Sequence, residues 1–207
     1  MTAHVAEFEE AAGERDLEAV AANLRSRNFE VVIVDGPEAA RAEVMNRIPE
    51  GAQIHSGKSK TLEDIGAFAE LMHDDRYDFV RKRTGKMDRR TQMDEIRKLG
   101  AAPDVMLGSV QAITQAGQLV VVSASGSQVG PYAAGAAKVV YVIGSQKIVP
   151  DLDTAMRRVR EHVMPYEDAR LREQLGVGTF ISRILITERE AAPGRATVIL
   201  VREPVGV

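Results

Sequence analysis

Apolar residues recur at helical and then at strand spacing over the first part of the chain. Leu17, Val20 and Leu24 fall on one face of a helix predicted over residues 9–27. The β-branched run at 29–34 predicts a strand that closes at a Gly-Pro turn, and helical spacing resumes after it. The pattern therefore begins with a helix followed by a strand–helix unit.

A second strand–helix unit follows, with a weaker strand over 52–55 and a helix over 61–72. Thr61 and Asp64 have the spacing of a capping box at the start of that helix. Later apolar runs predict strands over 104–108, 119–123 and 138–143. Because strands alternate with helices, we expect an α/β fold built on a mostly parallel sheet flanked by helices.

The C-terminal part of the chain differs, because two strand-like runs flank an Ala-Ala-Pro-Gly turn at 191–194. The runs lie at 181–186 and 197–201, and this order predicts a peripheral C-terminal β-hairpin. We expect residues 1–207 to form a single α/β domain, in which 1–14 is a loosely ordered N-terminal arm.

Composition and charge exclude several classes of protein. The formal net charge of -3 lacks the basic excess with which nucleic-acid-binding proteins neutralise phosphates, so we expect no nucleic-acid partner. No run approaches the roughly 20 apolar residues that span a membrane, so we expect a cytoplasmic protein without membrane contact. The absence of cysteine excludes disulfides, thiolate zinc sites, protein-ligated iron–sulfur clusters and a cysteine nucleophile.

The loop after the weak strand is the first candidate for a site. Residues 52–59 fit a P-loop if alanine is allowed at the first position, but the strand falls inside the motif instead of before it. The alternative is an anion site between a strand end and a helix N-terminus, where free N–H groups favour negative charge. A capping loop with an exposed lysine is equally compatible with these residues. The candidate ligand-binding residues of this loop are Ser56, Gly57, Lys58, Ser59 and Thr61.

Two further loops follow predicted strands. Small residues let a backbone approach a ligand closely, although a plain glycine turn explains the same composition. The candidates in the first loop are Ser123, Ser125, Gly126, Ser127 and Gln128, and those in the second are Gly144 and Lys147. If their strands are parallel, these loops and the 56–61 loop meet at one edge of the sheet and form a single anion-binding cleft.

The remaining charged and titratable residues are weaker candidates. The basic run at 81–90 contains no aromatic residue to stack a base, which indicates a solvated surface. His55 lies at a predicted strand end and is the one histidine that merits a test as an acid or base. No histidine pair has metal-ligand spacing on a helix, so we expect neither a metal nor a cofactor.

The order of motifs along the chain resembles one protein family from about residue 15 onward. The matching segments are 56–66, 112–120, 126–129, 139–152 and 193–201. They resemble the LUD-domain (lactate utilisation protein) family, which implies a fold similar to the NagB/RpiA/CoA-transferase-like superfamily of sugar-phosphate isomerases and coenzyme A transferases. The resemblance also implies an association with enzyme systems that oxidise lactate, but not a mechanism.

Two positions depart from what the resemblance implies. Gln115 stands where relatives commonly carry Glu, so a carboxylate nucleophile is missing there. Ser127 and Gln128 stand where relatives often carry Asn-Arg, so an anion-binding guanidinium is missing as well. The first hypothesis is therefore an accessory protein that binds a small anionic metabolite in lactate or related organic-acid metabolism.

Two other classes of function stay open. One is a stand-alone isomerase- or transferase-type enzyme on a phosphorylated or CoA-linked substrate, which would use Lys58, Lys147 or His55. The other is an interaction subunit without its own ligand, which would dock an acidic partner through the basic run at 81–90. The expected partners are the metabolite and other subunits of an organic-acid oxidation system, and a homodimer is the default expectation for a soluble protein.

Overall fold

The computed structural model describes residues 5–207, in which helices and strands alternate along most of the chain. The helices are α1 Glu14–Ser26, α2 Pro37–Arg47, α3 Lys60–Asp64, α4 Ala67–His73, α5 Val80–Thr84, α6 Met93–Ala101, α7 Leu152–Arg158 and α8 Met164–Leu175. The strands are β1 Glu30–Val34, β2 Gln53–Ser56, β3 Asp78–Phe79, β4 Val105–Gly108, β5 Ala112–Thr114, β6 Leu119–Ser123, β7 Lys138–Gly144, β8 Ile148–Val149, β9 Arg183–Thr187 and β10 Ala196–Val201. The π-helical segments Pro131–Gly135 and Val159–Val163 and the 3-10 turns Ala6–Phe8 and Ser145–Lys147 complete the described elements.

The main sheet has six strands in the order β1-β10-β7-β4-β2-β3, and every neighbouring pair is parallel. β7 and β10 are interior strands and consist almost entirely of buried apolar residues, as expected for strands covered on both faces. This arrangement confirms the predicted α/β class with a mostly parallel sheet flanked by helices.

Each face of the main sheet packs against its own apolar cluster. Along β10, Val198 and Leu200 join the cluster that contains residues of α1. Ile199 and Val201 point to the opposite face and join the cluster beneath α2 and α4. Successive side chains of a strand alternate between faces, so one short run supplies both cores.

The predicted C-terminal hairpin is wrong. β9 joins a second sheet of order β8-β5-β6-β9 and pairs antiparallel with β6. β10 instead lies between β1 and β7 in the interior of the main sheet. The apolar run of β10 is buried on both sides, which a peripheral hairpin could not provide, and burial therefore decided its partners.

The helix predicted over 61–72 is divided in two, and its start also differs from the prediction. Gly66 has a φ of 79°, a left-handed conformation that interrupts the helix between α3 and α4. Ser59 caps α3, because its side chain accepts a hydrogen bond from the Leu62 N–H at 3.4 Å. The Thr61 and Asp64 capping box is thus replaced by a Ser59 cap, and the Thr61 side chain is buried.

Of the expected N-terminal arm at 1–14, residues 1–4 lie outside the described part of the chain. Phe8 is 3% exposed and packs with Val159 and Val122 in a third apolar cluster. No helix within residues 5–207 is long and apolar enough to cross a membrane.

Candidate functional site

A cleft of about 420 Å³ opens at the carboxyl ends of the strands. Residues 57–61 follow β2, residues 108–111 follow β4, and residues 122–125 end and follow β6. Helix α8 supplies another wall through Glu167 and Arg170. Loops after the carboxyl ends of parallel strands are where open α/β sheets bind ligands, so the cleft is the candidate site.

Nine of the twelve candidate residues line this cleft. They are Gly57, Lys58, Ser59, Thr61, Ser123, Ser125, Ser127, Gln128 and Lys147. Ser56 is buried at the end of β2, Gly126 forms the turn behind the serines, and Gly144 packs against the backbone of Val205. The three loops therefore converge, but the third loop contributes Lys147 to the cleft and not Gly144.

The 56–61 loop and the 123–128 loop contact each other directly. A Cβ on Gly57 would overlap the Gln128 side-chain oxygen, so glycine is required for this close approach. Gln128 is anchored in turn by its Nε2, which donates to the Val122 carbonyl at 3.1 Å. Lys58 reaches across the cleft mouth and donates to Gln174 at 2.6 Å.

The serine loop after β6 is ordered by its own hydroxyls. Ser123 Oγ accepts a hydrogen bond from the Gly126 N–H at 2.9 Å, and Gly126 adopts a φ of 78° to close the turn. Ser125 Oγ donates to Ser127 Oγ at 3.1 Å. This geometry points a set of small hydroxyl groups at the cleft without a bulky side chain among them.

Lys147 is the most deeply buried cation of the cleft, with 2% of its surface exposed. Its Nζ donates to Thr61 Oγ1 at 2.8 Å and to Ser109 Oγ at 3.1 Å. Burial holds its pKa well below the usual lysine value, and the nearby charge of Arg158 acts in the same direction. The side chain of Lys147 therefore points into the protein and not into solvent.

Two arginines of the site come from the run that was expected to be solvated. Arg81 and Arg89 line the cleft, and Arg81 Nε donates to the Ser56 carbonyl at 3.2 Å. Burial lowers the pKa of Arg81, and the charge of Arg89 lowers it further. The prediction was wrong for Arg81, which is half-buried because β3 pairs with β2 and brings the following helix α5 to the cleft, whereas Arg89 is exposed as predicted.

Arg170 was not identified as a site residue from the sequence. It forms a bonded pair with Glu167 on the same helix, with an N–O distance of 2.7 Å. Its Nη1 atom is buried and has no hydrogen-bond partner within residues 5–207. The helical spacing of 164–175 contains no signal for this role, because Arg172 on the same helix looks equivalent in sequence and stays outside the cleft.

The side chains that line the cleft are strongly unbalanced in charge. The lining cations are Lys58, Lys60, Arg81, Arg89, Lys147 and Arg170, whereas Glu167 is the one lining carboxylate side chain within residues 5–207. Lys60 is paired with Asp64 outside the cleft, and Arg170 is paired with Glu167. The lining cations without a paired carboxylate make the cleft electropositive, although the overall charge of the protein is negative.

His55 and Gln115 do not line the cleft. His55 alternates with Ile54 and Ser56 along β2, and a Cβ on Gly100 would lie 3.1 Å from its ring. Burial and the charge of Arg81 lower its pKa to about 4. Gln115 is exposed in the turn after β5, where its carbonyl accepts from Asn23. A P-loop is not formed, because β2 occupies residues 53–56 of that motif.

The fold and site together define an α/β protein with an electropositive cleft at the carboxyl edge of a parallel sheet. The LUD domain model matches residues 17–201, and the chain belongs to the LUD domain family. It is similar in fold to the crystal structure of a DUF162 family protein from Deinococcus radiodurans, with 12% identity and a TM-score of 0.51. That similarity covers 93% of this chain and 99% of the other. No curated protein matches the sequence.

Proposed function

We propose that the cleft binds a small anionic metabolite with a phosphate or carboxylate group. The observation that carries this proposal is the lining of the cleft, in which cations outnumber carboxylates; one of those cations, Arg170, has a buried Nη1 without a hydrogen-bond partner within residues 5–207. A buried N–H group without a partner costs about 1–3 kcal/mol, and an anion in the cleft would recover that cost. Guanidinium groups also match the geometry of carboxylate and phosphate oxygens.

The size and lining of the cleft support a small ligand. Its volume of about 420 Å³ is near the lower end of the range for small-molecule sites, roughly 300–1,000 Å³. The hydroxyls of Ser123, Ser125 and Ser127 add neutral donors beside the cations. A compact organic acid or sugar phosphate fits this combination better than an extended nucleotide.

The biological role that we propose is that of an accessory component in lactate or related organic-acid metabolism in the cytoplasm. It rests on membership of the LUD domain family and on the association with lactate oxidation that the resemblance of the sequence motifs implies. Other subunits of an organic-acid oxidation system are the partners that this role requires. Mass spectrometry of small molecules that copurify with the chain would identify the natural ligand.

Anion binding is tested by thermal unfolding in phosphate and citrate against chloride at matched ionic strength. A ligand that binds only the folded state stabilises it, by about 2.7 kcal/mol at a hundredfold excess over Kd. We expect the melting temperature of the wild type to rise with phosphate or citrate. Arg170→Gln should lose most of this rise because it removes the unpartnered Nη1.

Arg172→Gln is the matched control, because Arg172 lies on the same helix and also pairs with a carboxylate, Asp168. Its side chain is 65% exposed and does not line the cleft, so its anion response should equal that of the wild type. Equal responses of Arg170→Gln and the wild type, or no response of the wild type to either anion, would contradict the proposal.

A further inference from the structure

Lys147 is buried more deeply than the other basic side chains that line the cleft. Its Nζ contacts two neutral hydroxyls, those of Thr61 and Ser109. No carboxylate within residues 5–207 lies at ion-pair distance from it, whereas Lys60 and Arg170 each have one. The charge of another cation, the fully buried Arg158, also acts on Lys147 and lowers its pKa.

The segment that ends the described chain packs over the same lysine. A Cβ on Gly206 would lie 3.0 Å from the Nζ of Lys147, and the Gly206 N–H donates to Asp64 at 3.0 Å. The amide of Gln146 holds this segment by donating to the Val205 and Gly206 carbonyls at 3.1 Å each. Lys147 is thus shielded from bulk water while it still lines the cleft.

These surroundings suit an amine better than an ammonium ion. Removal from water and the charge of Arg158 disfavour the positive charge, and the carboxylates Asp64 and Glu167 oppose them. A lysine that only attracted anions would keep its charge more readily at a solvent-exposed position. A desolvated neutral lysine amine is instead the form that attacks carbonyl carbon.

We infer that Lys147 forms an imine with the carbonyl group of a small 2-oxo acid whose carboxylate is held by the cleft cations. This inference rests on the proposed anion binding and names the substrate class of the same site. The carboxylate would contact Arg170, and the adjacent carbonyl carbon would face the Lys147 Nζ. The inference adds a covalent step that anion binding alone does not require.

The step balances without an oxidant or reductant. The Nζ lone pair forms a C–N bond to the carbonyl carbon while the carbonyl oxygen takes up a proton, which gives a carbinolamine. The hydroxyl takes up one of the two nitrogen protons and leaves as water, the C=N bond forms, and the second nitrogen proton is released. Glu167 is the lining carboxylate that can carry these protons, and it is oriented by its pairing with Arg170.

Reductive trapping tests the inference directly. The purified chain is incubated at pH 7 with glyoxylate or pyruvate and sodium cyanoborohydride, which reduces an imine to a stable secondary amine. Because the lowered pKa of Lys147 leaves more of it as the neutral amine, Lys147 should be modified faster than the exposed lysines. Intact mass and peptide mapping measure the adduct and its position.

Matched variants and a competition experiment complete the test. Lys147→Met should abolish the fast adduct, and Lys98→Met, at an exposed position on α6, should leave it unchanged. Excess phosphate should slow the labelling of Lys147 if both probes occupy the cleft. The wild-type peptide map decides the matter even if Lys147→Met does not fold.

Two negative results are distinguishable. Adducts spread over exposed lysines, with Lys147 unmodified by both probes, would overturn the imine inference while phosphate stabilisation leaves anion binding standing. Loss of anion stabilisation together with fast labelling of Lys147 would instead remove the proposed anion site and retain a reactive lysine.

Discussion

At the scale of single residues, burial sets the protonation of several groups. His55 belongs to β2 and its ring lies against α6, where burial and the charge of Arg81 lower its pKa from 6.5 to about 4. Arg158 is fully buried, donates to the Gln111 and Phe8 carbonyls, and has its pKa lowered to about 10 by burial. Lys147 is affected in the same direction. Groups of this kind make stability depend on pH.

His55 should produce a measurable loss of stability in acid. Between pH 6.5 and 4 the unfolded chain takes up a proton at this residue that the folded chain does not, so stability rises with pH across that window. We expect the free energy of unfolding to fall by about 1–3 kcal/mol more in the wild type than in His55→Gln as pH drops from 6.5 to 4. Urea denaturation at several pH values measures the difference. His73→Gln, at an exposed ring, is the control, and identical profiles for His55→Gln and the wild type would refute the prediction.

At the scale of elements, the segment 204–207 acts as a strap across the turn Ser145–Lys147. The Gln146 side chain pairs with the backbone of Val205 as a neighbouring strand would, since Val205 N–H donates back to its Oε1 at 3.3 Å. Gly206 has a φ of 74° and lies where a Cβ would overlap the Thr61 hydroxyl. The strap thereby closes one side of the surroundings of Lys147.

Gly206→Ala should therefore cost more stability than an alanine substitution at another glycine with a left-handed φ. Gly176 ends α8 with a φ of 70° and has open space where an alanine methyl group would lie, so Gly176→Ala shows the left-handed strain alone, about 1–2 kcal/mol. Overpacking against Thr61 and Lys147 should add about 1–3 kcal/mol in Gly206→Ala. Urea denaturation of both variants gives the comparison. Equal losses would mean that the strap does not press on Lys147.

At the scale of the whole molecule, one parallel sheet separates two apolar cores. β10 contributes to both, with Leu200 on one face and Ile199 on the other. The second sheet joins the first cluster through Ile113 and Leu119 and leaves its edge strand β9 largely exposed. Stability should therefore be concentrated in β10 and its neighbours, and not at the edge of the smaller sheet.

Truncation on either face of β10 should destabilise the protein to a similar extent. Both Ile199→Ala and Leu200→Ala remove fully buried side chains, and we expect a loss of about 2–5 kcal/mol for each. Ile186→Ala on β9, where the side chain is 40% exposed, should cost less than about 1 kcal/mol. Equilibrium unfolding in guanidinium chloride measures all three. A small loss for either β10 variant would mean that the corresponding face of the sheet is not covered.

The sequence by itself determined the class of fold and the approximate place of the cleft. Apolar runs identified the central strands because a buried parallel strand needs no alternation of polar and apolar residues. Small and hydroxyl residues directly after those runs identified the loops at 56–61 and 123–130, since only such residues allow close backbone approach. The family motifs depend on the same local chemistry, and the LUD domain match supports them.

Only the tertiary structure decided which distant residues meet. The separation of β9 from β10 into different sheets depends on pairing with β6 and β7, which no local pattern encodes. Arg81 and Arg170 reach the cleft because strand pairing and helix packing place α5 and α8 beside it. The pKa of Lys147 is lowered chiefly by burial, which depends on the whole fold and not on the neighbours of this residue in sequence.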